Sequence, residues 1–154
     1  GSMNNSSGGS SSGSAQKLIE LLDEKNQYLQ KFFELNECEL LNLADGYFDN
    51  VESFYQAREK ILDIVRCIDA LVDDEVAIIH DGDVSTPIRE ELKELMTEKD
   101  RLAKQILAQD LQVLAAIETE KSNIIRELKS TGQTRKAVSA YRSGPAAHQF
   151  DEEV

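Results

Sequence analysis

The stretch that decides the fold is residues 87–129, PIREELKELMTEKDRLAKQILAQDLQVLAAIETEKSNIIRELK. Its apolar residues recur every three or four positions, which is the spacing of one buried face on an α-helix. Thr86 and Pro87 suit the start of a helix, and Gly132 suits its end. An unbroken helix here is roughly 64 Å long at about 1.5 Å per residue. The apolar residues of this row are Ile88, Leu92, Leu95, Leu102, Ile106, Val113, Ile117, Ile124 and Leu128.

A first helix is predicted from residue 15 onward. Its apolar row is at helical spacing, Ser14 is a suitable cap, and Gly46 marks its end. The row consists of Leu18, Leu21, Leu22, Leu29, Phe32, Phe33, Leu40 and Leu43.

A second helix is predicted after Gly46. Asp49, followed three residues later by Glu52, resembles a capping box. Three acidic residues at positions 73–75 are unfavourable near a helix C-terminus, so the sequence predicts an end either near Leu71 or at Ile79. The apolar row consists of Val51, Phe54, Tyr55, Ile61, Leu62, Val65, Ile68, Val72, Val76 and Ile79.

Short connections between these helices predict antiparallel neighbours. The expected fold class is therefore all-α, an antiparallel helical hairpin plus a longer third helix. We expect three regions: residues 1–14 as a cloning remnant and a flexible Ser/Gly leader, residues 15–129 as the helical domain, and residues 130–154 as a mobile tail. Within the tail, residues 135–142 fit a short helix that is too brief to be stable alone.

The charge of the chain restricts its partners. A formal net charge of −12 and a pI near 4.6 argue against nucleic acid and anionic membranes, which bind through an excess of Lys and Arg. No apolar run is long enough to span a bilayer, and there is no signal peptide. We therefore expect a cytoplasmic protein with a basic or neutral protein partner and without membrane insertion.

No pattern for catalysis, metal binding or a cofactor is present in the sequence. His80 and His148 have no nucleophile arranged near them, and the Asp81-Gly82-Asp83 connector lacks the later residues of a calcium loop. Cys38 and Cys67 lie in helical patterns, where a small buried hydrophobic residue is the ordinary role. We expect a protein that is not an enzyme and has no cofactor.

The third helix is longer than its predicted neighbours, so its last turns are expected to project past the turn at Gly46. Leaving their apolar side chains in water forgoes about 1.5–3 kcal/mol each. A second copy of the chain, its own tail or a client protein could cover them. The predicted partner-binding residues are Ile117, Ile124, Ile125 and Leu128, together with Val138 and Tyr141 of the tail.

The arrangement as a whole resembles the flagellar export chaperones of the FlgN and FliT type. The residues that carry the resemblance are LIELLDE (18–24) in the first helix, FYQAREKIL (54–62) in the second, IETEK (117–121) with Ile124 and Ile125 in the third, and Lys136, Ala137, Val138 and Tyr141 in the tail. The similarity covers about residues 15–142.

This resemblance implies a chaperone that binds the C-terminal helical segment of a flagellar axial protein, either a hook–filament junction protein or the filament cap. It would deliver that segment to components of the type III export apparatus. The alternative is a homodimeric coiled-coil scaffold or adaptor without chaperone activity, in which the same apolar row pairs with its own copy.

Overall fold

The described part of the chain is three helices joined by two connections. A computed structural model describes residues 6–131. Helix α1 covers Ser6–Ala44, α2 covers Val51–Ile78 and α3 covers Thr86–Ser130, with a short 3₁₀ turn at Asp81–Asp83. Residues 6–131 contain no β-strand, and α3, with 45 residues, is longer than α1 with 39 and α2 with 28. The predicted all-α class, a hairpin with a longer third helix, is confirmed.

Helix α1 begins before its apolar row. The sequence places its start at residue 15, but the helix starts at Ser6, so Ser14 lies inside it and does not cap it. Adding a residue to an existing helix is far easier than nucleating one, and no proline interrupts residues 6–14. The earlier part of the predicted leader, residues 1–5, lies outside the described residues.

The turn after α1 depends on Gly46. Its φ of +83° is in the left-handed region, which glycine adopts without the penalty of a Cβ atom. Tyr47 N–H donates to the carbonyl of Asn42 at 2.8 Å, and Gly46 N–H donates to that of Leu43 at 3.1 Å. These two bonds form a Schellman motif, which satisfies carbonyls at a helix end. The predicted helix end at Gly46 is confirmed.

Helix α2 starts without the predicted capping box. Its N-cap residue is Asn50, whose side chain makes no capping hydrogen bond. The helix therefore begins one residue too late for Asp49 to cap it, and that prediction is wrong.

Helix α2 ends at Ile78, close to the later of its two predicted ends. The acidic residues near this end do not stop the helix. One of them, Glu75, lies 3.3 Å from Lys17 Nζ of α1. A cation beside this carboxylate offsets its unfavourable interaction with the helix dipole.

Helix α3 starts and ends within one residue of the prediction. Thr86 is its first helical residue, and the N–H of Arg89 donates to the carbonyl of Ser85 at 2.9 Å. Ser85, rather than Thr86, therefore precedes the first turn. At the other end, the hydroxyl of Ser130 donates to the carbonyl of Glu127 at 3.0 Å, which satisfies a backbone group of the last turn.

Polar contacts show the direction in which the helices run. Lys17 pairs with Glu75, and Lys25 pairs with Asp69 at 2.6 Å, so α1 and α2 are antiparallel as predicted. The side-chain amide of Asn26 donates to the carbonyl of Leu95 in α3 at 3.0 Å. Beyond Asn26 and Leu95, the next contacts between α1 and α3 are apolar.

The core cluster joins all three helices. Phe32 of α1 packs with Leu102 and Ile106 of α3, and all three side chains are buried. Asn26 and Phe32 of α1 contact Leu95 and Leu102 of α3, and both pairs come in the same order along their helices. These two helices therefore run parallel. Burying a side chain of this size stabilises the fold by about 1.5–3 kcal/mol. The half-buried residues around the cluster are Leu29, Phe33, Ile61 and Leu62.

The chain divides into two compact units, Gly1–Asp110 and Leu111–Val154. The first holds α1, α2 and the core cluster. In the second, the described part of α3 has Val113, Ile117 and Lys121 buried along one face, three or four residues apart.

Candidate functional site

The predicted partner-binding residues of α3 differ in exposure. Ile117 is only 3% exposed, so in the free chain it offers almost no surface to a partner. Ile124, Ile125 and Leu128 are half-buried and still offer apolar surface. Val138 and Tyr141, with the short helix predicted at residues 135–142, lie outside the described residues. Partner binding by these positions stays a prediction.

A row of exposed apolar side chains lies on the outer face of α2. Ile64, Leu71 and Ile78 are 37%, 47% and 49% exposed. They are spaced seven residues apart, and the exposed Cys67 lies between the first two, one turn after Ile64. Seven-residue spacing of apolar side chains is the pattern by which one helix packs along another. We call Ile64, Cys67, Leu71 and Ile78 the α2 row.

Charged side chains accompany the α2 row. Lys60, Asp63, Arg66, Asp73 and Asp74 of α2 are all exposed within one turn of the row's residues, and Arg66 pairs with Asp63 at 2.6 Å. Three of these five side chains are acidic, and the chain as a whole carries a net charge of −12.

The sequence contains the signal for the α2 row, although the apolar periodicity first selects another face. That first row, with Ile61, Val65 and Ile68, packs inward: Ile68 is buried and the other two are half-buried. Ile64, Leu71 and Ile78 form a second apolar row on the same helix. A helix that packs against one core needs only one apolar face, and α2 has two.

The cysteines belong to the surface. Cys38 and Cys67 are free and exposed, so the prediction that they are buried small hydrophobic residues is wrong. Each lies one position away from the inward face of its helix. A pattern of three or four residues does not separate positions at the edge of the buried face from those in its centre.

A cavity lies where the last turns of α1 meet the first turns of α2. Its volume is about 260 Å³, and its walls include Leu35, Glu39, Ser53, Phe54 and Ala57. Most of this lining is apolar, and the cavity belongs entirely to the first unit.

Buried polar groups of α1 lie at and beside this cavity. Glu39 is 3% exposed, and its Oε1 atom has no hydrogen-bond partner. Asn36, one turn earlier, is fully buried with both polar side-chain atoms unpaired. Burial raises the pKa of Glu39 above the ordinary glutamate value, because the charged form loses hydration. Unpaired buried polar atoms are rare in folded proteins and call for an explanation.

Comparison with known proteins gives one result. No protein-family model, curated protein or solved structure matches this chain. The function has to be argued from the residues themselves.

No helix within residues 6–131 has the length and low charge that a membrane span requires. The same part of the chain contains no group of three His, Cys, Asp or Glu side chains placed to hold a metal ion. Besides the α2 row, the half-buried end of α3 and the cavity beside Glu39, the surface carries further exposed apolar side chains, among them Leu41, Leu107 and Leu111.

Proposed function

We propose that this protein is a cytoplasmic, non-enzymatic chaperone that binds an amphipathic helical segment of a client protein. In the form that the sequence resemblance suggests, the client is the C-terminal segment of a flagellar hook–filament junction or cap protein. The chaperone delivers that segment to the type III export apparatus. The observation that carries the proposal is the α2 row, an exposed apolar face at the spacing of a helix–helix contact.

The α2 row supports helix binding on energetic grounds. Each of its three large side chains keeps about a third to a half of its surface in water. Covering that remainder contributes about 1 kcal/mol per side chain, since full burial is worth about 1.5–3 kcal/mol. This modest gain suits a contact that must be released at the export apparatus. The half-buried Ile124, Ile125 and Leu128 of α3 offer apolar surface of the same kind.

The charges around the row favour a client over self-association. A client helix with Lys or Arg beside its apolar face would meet the exposed Asp74, while Asp63 already pairs with Arg66. Two copies of the chain would instead bring the same acidic side chains together, which is unfavourable. The seven-residue spacing is nevertheless also that of a coiled coil, so a homodimeric scaffold is the second candidate.

Peptide binding tests the proposal. The probes are synthetic C-terminal segments of the hook–filament junction and filament cap proteins of the source organism, measured by calorimetry. We expect at least one segment to bind. The double variant Leu71→Asp/Ile78→Asp should weaken that binding by at least about tenfold, because it places two charges in an apolar contact. Failure of every segment to bind overturns the proposal.

The control is Met96→Asp, which places one charge on an exposed apolar residue of α3, a different helix from the α2 row. It should leave binding unchanged, and circular dichroism should show equal helicity in all variants. The pair Ile124→Asp/Leu128→Asp tests the end of α3 in the same assay. If only this pair reduces binding, the client lies on α3 and the α2 row is not its contact surface.

A further inference from the structure

The cavity between α1 and α2 has an unpaired carboxyl group in its wall. Glu39 lines the cavity and is 97% buried, since only 3% of its surface is exposed. No described residue donates a hydrogen bond to its Oε1 atom. A carboxylate accepts up to four hydrogen bonds, so this group lacks the donors that would normally accompany its burial.

The size of the cavity limits what can fill it. Its volume of about 260 Å³ is below the roughly 300 Å³ at which small-molecule sites begin. That space suits one side chain entering between the two helices. Leu35, Phe54 and Ala57 make the walls apolar, which suits an aliphatic stem.

The charge of the expected occupant follows from Glu39. A cationic donor bonds a carboxylate about twice as strongly as a neutral donor does. The N-terminus of α2 also reaches the cavity through Asn50 and Ser53, and it carries only about half a positive charge. Both of those residues are exposed to water, which screens their contribution, whereas Glu39 is buried. The full negative charge of the buried Glu39 therefore determines that the expected occupant is a cation.

We infer that the cavity receives a lysine or arginine side chain of a partner protein, with the stem against Leu35, Phe54 and Ala57 and the cationic end on Glu39. This site involves none of the residues of the α2 row or of the end of α3. It is independent of the proposed chaperone function, and either proposal can fail without the other.

The experiment is an NMR titration of the full chain with blocked amino acids as probes. N-acetyl-lysine N-methylamide is compared with the norleucine analogue, which has an apolar chain of similar length, and with the glutamate analogue. The signals followed are those of the Glu39 side chain. We expect saturable shifts with the lysine probe and at least about tenfold weaker binding of the other two, since a hydrogen bond to a charged group is worth about that much.

Two variants supply the control. Glu39→Gln keeps the shape and removes the charge, so it should abolish the preference for lysine over norleucine. Glu37→Gln makes the same change on an exposed residue of α1 and should leave the titration unchanged. Absence of saturable binding, equal binding of lysine and norleucine, stronger binding of glutamate or an unchanged Glu39→Gln variant would each overturn the inference.

Two further measurements separate a partner from the chain itself. If replacing Arg135, Lys136 and Arg142 by Ala shifts the Glu39 signals without any probe, the occupant is the chain's own tail and the inference is overturned. A Glu39 signal that depends on protein concentration would assign the cavity to a second copy, with the same consequence. Signals insensitive to both changes support an occupant from another protein.

Discussion

At the scale of single residues, the contact between Arg58 and Asp110 links α2 and α3 through two hydrogen bonds. The guanidinium donates from Nε and Nη2 to the two carboxylate oxygens at 3.1 and 2.8 Å. Its carbon also lies 5.7 Å from the centre of the Phe32 ring. The hydrogen bond to Asp110 raises the pKa of Arg58 further above its ordinary value. The pair thus holds two helices and the core aromatic ring together.

Replacing Arg58 by Ala should lower the free energy of unfolding by about 1.5–3 kcal/mol, because charged hydrogen bonds at partly buried sites are worth that much. Arg58→Lys should recover only part of the loss, since an ammonium group cannot make the two-point contact. Urea denaturation measures both changes. As a control, Arg66→Ala breaks an exposed pair with Asp63 and should cost less than about 1 kcal/mol. Equal effects of Arg58→Ala and Arg66→Ala would contradict the assignment.

Glu39 makes stability depend on pH. Burial raises the pKa of this carboxyl group, so the folded state holds its proton more tightly than the unfolded state does. Below the ordinary glutamate pKa of about 4.3 the group is neutral in both states and costs nothing. As the pH rises through the folded-state pKa, ionising the buried group reduces stability. Glu39→Gln should therefore raise the free energy of unfolding at neutral pH and leave it unchanged in acid.

Urea titrations of wild type and Glu39→Gln, at neutral pH and below the ordinary glutamate pKa, check this expectation. Glu37→Gln, an exposed change on the same helix, should show no such difference between the two conditions. If Glu39→Gln destabilises at neutral pH, the carboxylate is stabilised in the folded state and the cavity does not leave it without donors.

Sequence reasoning fails most often at this scale. It predicted burial for Cys38 and Cys67, which are exposed. It did not single out Glu39 or Asn36, because a polar residue within an acidic helical pattern is normally on the solvated face. Which polar residue is enclosed depends on where neighbouring helices meet. That information is in the packing and not in the pattern along one helix.

At the scale of elements, Gly46 determines where α1 ends. Its positive φ is a conformation that other residues rarely adopt, while an added Cβ atom would meet nothing within 4 Å. Gly46→Ala should therefore lower the free energy of unfolding by about 1–2 kcal/mol through backbone conformation alone. Gly46→Asn should cost less, because asparagine tolerates the left-handed region better.

Gly82→Ala is the matched control for this prediction. Gly82 also has open space around it, but it is not among the residues with positive φ. Thermal or urea denaturation should show little change for this variant. A loss as large as that of Gly46→Ala would mean that the effect is not due to left-handed backbone.

The helices themselves were largely predictable. The long period of apolar residues and the start signal at Thr86 and Pro87 located α3 to within one residue at each end. The start of α1 was missed because Ser and Gly have low helix propensity, yet they extend a helix that is already formed. The capping box predicted at Asp49 is absent because the helix starts one residue later, after Asn50, so the local motif does not coincide with the helix start.

At the scale of the whole molecule, the distribution of charge and of exposed apolar surface leads to the same expectation. Ile64, Leu71 and Ile78 form a line of exposed apolar side chains on α2, with the exposed Val76 on another side of the helix, and three of the five exposed charged side chains of this helix within one turn of the α2 row are acidic. If the row binds a client as proposed, this arrangement favours a complementary helix over an identical one. The net charge of −12 also opposes association of two copies.

The decisive quantity at this scale is the mass in solution. If the α2 row serves a client, the free chain should sediment as a monomer of 17.2 kDa at moderate salt. Raising the ionic strength to about 1 M shortens the screening length from about 8 to about 3 Å, so any weak self-association through the row should appear there first. Leu71→Asp/Ile78→Asp should then remove that association, whereas Met96→Asp should not. A different result would assign the row to a homodimeric scaffold: a dimer that persists at low salt and that the Leu71→Asp/Ile78→Asp variant dissociates. In that case, the like charges along the contact would have failed to keep two copies apart.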